Sequence, residues 1–147
     1  MGWILVFALA GIGSAAAQTH PDFSGSWKLN VGKSDIQEVD LRGALFEINH
    51  HDPDFAISRK LVYTTETNHL SFAVKTDGNA VVVPYGDEKL KVAIRWADAS
   101  LVCSVRDVDD SEADADRVRY SLSPDGKTLV VTEHGVSKPR VWVFEKQ

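Results

Sequence analysis

The sequence predicts an all-β protein: an antiparallel up-and-down β-barrel of eight to ten strands, with a short helical segment after the first strand. Three observations carry that expectation. From Gly43 onward the apolar residues recur with period two, which is the signature of half-buried strands and not of helices. The runs are short and are separated by Gly, Pro, Asp and Asn, with TDGN at 76–79 and SPDGK at 123–127 giving hairpin signals, so consecutive strands are expected to be neighbours. A sheet of this many short strands also exposes two edges unless it closes, and closure removes that aggregation hazard.

In order along the chain, strands are expected at 25–29, 44–50, 55–64, 69–75, 80–83, 89–96, 101–106, 117–121, 128–133 and 140–145. The connection 31–43 is the exception to the tight turns. It holds SDIQEVDLRG, where Ser34 is suited to cap a short helix with Gln37 at its third position. No repeat, low-complexity linker or composition break divides residues 18–147, so they read as one domain.

The first residues read differently. MGWILVFALAGIGSAAAQ is an apolar run ending in small residues, with Ala15-Ala16-Ala17 as an A-x-A cleavage site, and residues 1–17 are therefore expected to be a signal peptide. No Lys or Arg lies between Met1 and Ala17, so the positive end of the leader rests on the amino terminus alone. A membrane anchor needs roughly 20 apolar residues, more than this run supplies. A periplasmic or secreted protein is expected, with no membrane association after cleavage.

The remaining chain, about 130 residues, is long enough to bury a core without covalent staples. The one cysteine, Cys103, lies between Val102 and Ser104 in an apolar stretch and reads as a small buried side chain. The net charge is −5, and no stretch interleaves Lys or Arg with aromatics, so nucleic acid is not an expected partner. A monomer is expected.

DFSGSWKLN at 22–30, followed by KSD at 33–35, is similar to the G-x-W opening of lipocalins and the related fatty-acid-binding proteins, with Gly25 and Trp27 carrying the match. RVWVFEK at 140–146 is similar to the R-V-Y-E-K ending of fatty-acid-binding proteins, apart from a two-residue insertion. The most specific likeness is to a group of uncharacterised exported bacterial lipocalin-like proteins. They share the D-F-S-G-x-W-K-L-N start, an H-x-D-P segment like 50–53, and S-P-D-G-K near the end. The resemblance implies a calycin-type barrel over residues 18–147, with Trp27 packed across its closed end. Fold alone does not fix function.

Taking the apolar phase of each strand as the inner side, the residues expected inside include Phe46, Ile57, Leu61, Tyr63, Phe72, Val92, Trp96, Tyr120 and Val131. The same phase places Arg59 inward between Ile57 and Leu61, where an unanswered guanidinium is costly. In one reading Arg59 awaits a ligand carboxylate, as interior arginines do in fatty-acid-binding proteins. Arg140 aids it if Arg140, Trp142 and Phe144 form the inner phase of the last strand. In the other, a bulge reverses the phase and Arg59 faces solvent. Val141 and Val143 are as apolar as Trp142 and Phe144, so the facing of that strand stays open.

Two further clusters read as structural. NHHDPD at 49–54 offers metal-ligand types in His50 and His51, but adjacent strand residues face opposite ways and Asp-Pro is a turn former. The acidic run at 107–116 lacks the central Gly and terminal Glu of a calcium loop and reads as a solvated connection. No nucleophile elbow, phosphate loop or zinc-protease helix is present, and an enzyme is not expected. No cofactor is implied. The expectation is a barrel that binds an apolar or amphipathic small molecule, with Arg59, Phe72, Trp96, Tyr120, Arg140 and Trp142 as candidate ligand contacts. The rival is a barrel packed solid by these side chains and acting as a protein-interaction module.

Overall fold

Alternation sets which side chains turn inward, and the fold follows from closing that apolar face on itself. The computed structural model describes residues 19–134 and 138–147; the predicted leader, residues 1–17, lies outside them. Ten strands form: β1 (Gly25–Leu29), β2 (Leu41–His51), β3 (Asp54–Tyr63), β4 (Thr67–Lys75), β5 (Val81–Tyr85), β6 (Glu88–Ala97), β7 (Ser100–Asp107), β8 (Asp116–Leu122), β9 (Thr128–His134) and β10 (Arg140–Lys146). They make one antiparallel sheet in the order β4-β3-β2-β1-β10-β9-β8-β7-β6-β5. Pairing of β1 with β10, in the register Trp27 opposite Lys146 and Leu29 opposite Phe144, curls the sheet into a nearly closed barrel.

Closure is incomplete at one place. β4 and β5 are the two ends of the sheet and do not pair, although the TDGN turn predicts neighbours. The turn explains the difference. Asp77 bridges to Arg95 and the Gly78 N–H donates to the Ile94 carbonyl at 2.8 Å, so the chain steps onto β6 before β5 begins. Gly78 adopts φ 81°, which glycine permits at no steric cost. Pro84 on β5 withholds a backbone donor from this open edge.

The predicted helix after β1 is a single 3-10 turn, Val31–Lys33, and its cap is Asn30 and not Ser34: Asn30 Oδ1 accepts from the Lys33 N–H at 3.1 Å. Ser34 ends the turn instead. Its hydroxyl donates to the Asn30 carbonyl and accepts the Val143 N–H, while Asp35 pairs with Val141 through both backbone bonds. Gln37 has φ 57°, incompatible with a helix there. Residues 30–40 thus form a strap laid along β10, with Ile36 buried beneath it.

The core runs the length of the barrel but changes character along it. Near the β2–β3, β6–β7 and β8–β9 turns, Phe23, Trp27, Phe55, Ile94, Leu101 and Leu129 are fully buried. Toward the strap the inward residues Leu61, Tyr63, Leu70, Leu90, Val105 and Val118 are only partly covered. The largest fully buried side chains thus gather near those turns, although Trp96 and Leu122 there are also only partly covered and Leu41 is buried by the strap. Cys103 is buried, and burial pushes its thiol up to about 12, which leaves it an inert packing group.

A candidate ligand-binding site inside the barrel

Arg59 sits in the middle of β3, opposite Phe46 of β2 and Leu70 of β4, with no bulge near it. The phase holds, and the side chain turns inward: its guanidinium carbon lies 5.2 Å from the centre of the Phe46 ring. Phe46 packs on Phe144 at 4.3 Å, and Phe144 stacks parallel to Trp142 at 6.4 Å, so one aromatic wall joins Arg59 to the last strand. Arg140, Trp142 and Phe144 are the inner phase of β10, which settles the facing that its apolar sequence leaves open.

Among the described residues, Arg59 Nε and Trp142 Nε1 are both buried without a hydrogen-bond partner. Among the described residues Arg59 also has no ion pair. A buried guanidinium donor left unmet is costly, and two unmet donors in one apolar interior suit an acceptor-bearing guest. A hollow of about 100 Å³ adjoins Arg59, bounded by Leu61, Asn68, Leu70 and Tyr85 beside the unpaired β4–β5 gap.

Arg140 stands apart from this expectation. Its Nη1 donates to Glu38 Oε1 of the strap at 2.9 Å and lies 3.9 Å from Glu133 Oε2, so its charge is already answered within the protein. The other oxygen of Glu38 is buried and unbonded. Burial, and then the Glu38 carboxylate, push the nearby Tyr63 hydroxyl up to about 12. Strand alternation could not find Glu38, because the strap has no period.

Phe72 and Tyr120 are buried on inner faces, and burial drives the Tyr120 hydroxyl upward. Trp96 belongs to a different place. It lies near the filled end, where His20 stacks on its ring at 3.9 Å and its Nε1 donates to Asp52 Oδ1 at 3.0 Å. Asp52 also accepts from the Thr76 hydroxyl at 2.7 Å and lies 3.5 Å from His50 Nε2. His50 is buried; its Nδ1 accepts the Phe23 N–H at 3.2 Å. The expected turn at NHHDPD is present, and it also pins the end of the barrel.

The Thr76 hydrogen bond, followed by those from Trp96, His50 and His20, holds the Asp52 carboxyl below its usual range; the Ser24 N–H does the same for Asp22. Because the folded values are depressed, this stabilisation is present above the unfolded carboxylate value of about 3.9 and is lost as pH falls through the folded value. Urea midpoints measured from pH 7 down to pH 2.5 are expected to fall on the acid side. Asp52→Asn is expected to be less stable than wild type at pH 7 and to show a shallower acid decline. A variant as acid-sensitive as wild type would remove Asp52 from this role.

The outer wall carries larger hollows than the one beside Arg59: about 640 Å³ over β2, β3 and β4 and reaching Asp77, Asn79 and Val81 where β4 leads into β5, and about 470 Å³ over β2, β3 and β4.

No family model matches this chain, and no curated protein matches it. Solved structures do. The fold is similar to that of the REP1-NXSQ fatty acid transporter (13% identity, TM-score 0.59, 85% of this chain and 96% of that one). It is also similar to human cRBP IV (16% identity, TM-score 0.60, 86% and 99%). A single-residue mutant of the transporter aligns at 12% identity and TM-score 0.58, over 85% of this chain and 98% of that one. At these identities the likeness is one of fold.

Proposed function

We propose that the barrel binds a small amphipathic molecule with an anionic head, the head meeting Arg59 and the apolar part lying against the partly covered inner residues toward the strap. One observation carries this: an interior arginine whose charge no described residue answers, beside a hollow and below an incompletely covered apolar funnel. A carboxylate would accept from the guanidinium in a charge-assisted bond. The fatty-acid transport for which one structural neighbour is named agrees in kind with such a ligand. The β4–β5 gap is the entry route, since it is the one break in the sheet's pairing among the described residues. The setting we assign, outside the cytoplasm, rests on the leader sequence at 1–17.

The size of the hollow shapes the ligand. About 100 Å³ is well short of the roughly 300 Å³ of an ordinary small-molecule pocket, so the guest either is short or moves Leu61, Leu70 and Tyr63 aside as it enters. The same shortfall favours a second reading, a packed barrel that engages a protein through its outer wall. Displacement of a fluorescent apolar probe by matched acids and alcohols of increasing chain length separates the two. Saturable probe binding, with the acid the better competitor at each length, is expected. A protein that binds no probe is the packed barrel, and one that binds the probe but treats acid and alcohol alike holds an apolar guest without an anionic head.

A further inference from the structure

The outer wall of β6, β7 and β8 holds a second feature, unconnected with the interior. Outward positions there fall in rows across the strands: Ala93, Ser104 and Arg117 form one row, and Arg95, Val102 and Arg119 the next. Small side chains at Ala93 and Ser104 leave a floor between two long ones. Gly78 of the TDGN turn walls one side, where it is bound to β6 through the Ile94 carbonyl. The acidic connection from β7 to β8 folds back over the other: Arg106 Nη1 donates to the Asp110 carbonyl, and a 3-10 turn, Glu112–Asp114, brings Glu112 to the rim. The result is a hollow of about 170 Å³ lined by Arg95, Arg117, Ser104, Ala93, Val102, Gly78 and Glu112.

Neither Arg95 nor Arg117 forms an ion pair among the described residues, and Glu112, although on the same hollow, is not within ion-pair distance of either. Two exposed guanidinium groups therefore share one recess with no counter-charge in contact among the described residues, in a protein whose net charge is −5. One guanidinium fork satisfies the two oxygens of a carboxylate, whereas two forks on opposite sides of a floor with a serine hydroxyl match a group with three peripheral oxygens. We infer that this recess is a binding site for a phosphate monoester group, with Arg95 and Arg117 as its charge partners, Ser104 as a hydroxyl donor and Glu112 as a rim carboxylate that opposes the anion. None of the large exposed apolar side chains, Val31, Val39, Val82 and Tyr85, lines the recess; Val82, opposite Lys91, is on the adjacent strand β5. With no exposed apolar side chain in the recess itself, a soluble phosphate ester fits it better than a lipid headgroup.

Amide chemical shifts followed during titration with inorganic phosphate, at constant ionic strength near 0.15 M where charges beyond roughly 8 Å are screened, test the site. Saturable shifts at Ser104 and Arg117 are expected. Arg95→Gln and Arg117→Gln should each weaken binding about tenfold, the scale of one charge-assisted hydrogen bond. Glu112→Gln should tighten it, since a like charge leaves the rim. Arg119→Gln, an exposed arginine of the same strand that does not line the recess, should weaken binding far less than either lining arginine, and Arg59→Met should leave phosphate binding intact, separating this site from the interior one. Retained spectra in each variant show that the fold is unaltered. Shifts that never saturate, or that weaken as much in Arg119→Gln, would overturn the site. Glycerol phosphate is expected to compete with inorganic phosphate, and vesicles of phosphatidylcholine with phosphatidic acid are expected not to sediment the protein. Arg117-dependent sedimentation would overturn the soluble assignment.

Discussion

Replacing Trp27 with alanine is expected to destabilise the fold by about 3 to 5 kcal/mol, the range for deleting a fully buried aromatic and leaving a cavity. Trp27 has no solvent exposure, and it closes the filled end of the barrel. Its Nε1 donates to the Phe23 carbonyl at 3.0 Å, so the substitution also strands a buried acceptor. Lys146 lies over the ring at 5.5 Å and would lose its aromatic partner. The site is poorly placed to collapse. Gly25 is at φ 146°, and a Cβ there would meet the Lys146 side chain at 2.9 Å, so the strand, the lysine and the ring are already in close contact. Urea unfolding with both fluorescence and far-ultraviolet circular dichroism measures the change. A loss under about 1 kcal/mol would mean that the end plug is not what holds the barrel shut.

Arg59→Met is expected to weaken binding of an amphipathic acid by about 1.5 to 3 kcal/mol, the scale of a hydrogen bond to a charged group, while leaving the matching alcohol nearly unchanged. Methionine keeps much of the apolar stem and its contact with Phe46 while removing every donor. Fold stability is expected to hold or rise, because Arg59 carries a buried Nε with no partner and an apolar isostere removes that liability. Arg140→Met should behave oppositely. Its guanidinium is bonded to Glu38, so the change leaves a part-buried carboxylate unanswered and loosens the strap, costing stability more than acid selectivity. Probe displacement and thermal melts on both variants decide it. Equal loss of acid and alcohol binding in Arg59→Met would show that Arg59 shapes the interior and does not meet the ligand's charge.

Much of the barrel is legible in the sequence because period-two alternation is a local property. It places Phe46, Ile57, Phe72 and Val131 inward without reference to any other strand, and it places Arg59 among them correctly. Turn chemistry is legible for the same reason: Gly126 and Asp125 make the β8–β9 turn from within its own few residues. The strap is not. A Ser-x-x-Gln pattern predicts a short helix there, but Ser34 has two bonds available from Asn30 and β10, and a 3-10 turn capped by Asn30 wins.

The amino-acid sequence by itself determined the all-β class, a strand count of eight to ten and the inward face of most strands, since each depends on neighbours within a few residues; the plug at Trp27 came from the resemblance carried by Gly25 and Trp27. Only the tertiary structure decided which groups meet across the barrel. The Glu38–Arg140 bond spans 102 residues and removes Arg140 from the ligand's reach. Trp96 shares the inner phase of Ile94 and Val92, yet its position at the far end of β6 gives it to Asp52 instead of Arg59. Likewise, Arg95 and Arg117 come to one recess only through the registers of β6 with β7 and β7 with β8. Alternation fixes the direction of a side chain relative to its own strand. Its height in the barrel and its partners follow from strand register, the way the sheet closes and the gap between β4 and β5, none of which is written in any one segment of the chain.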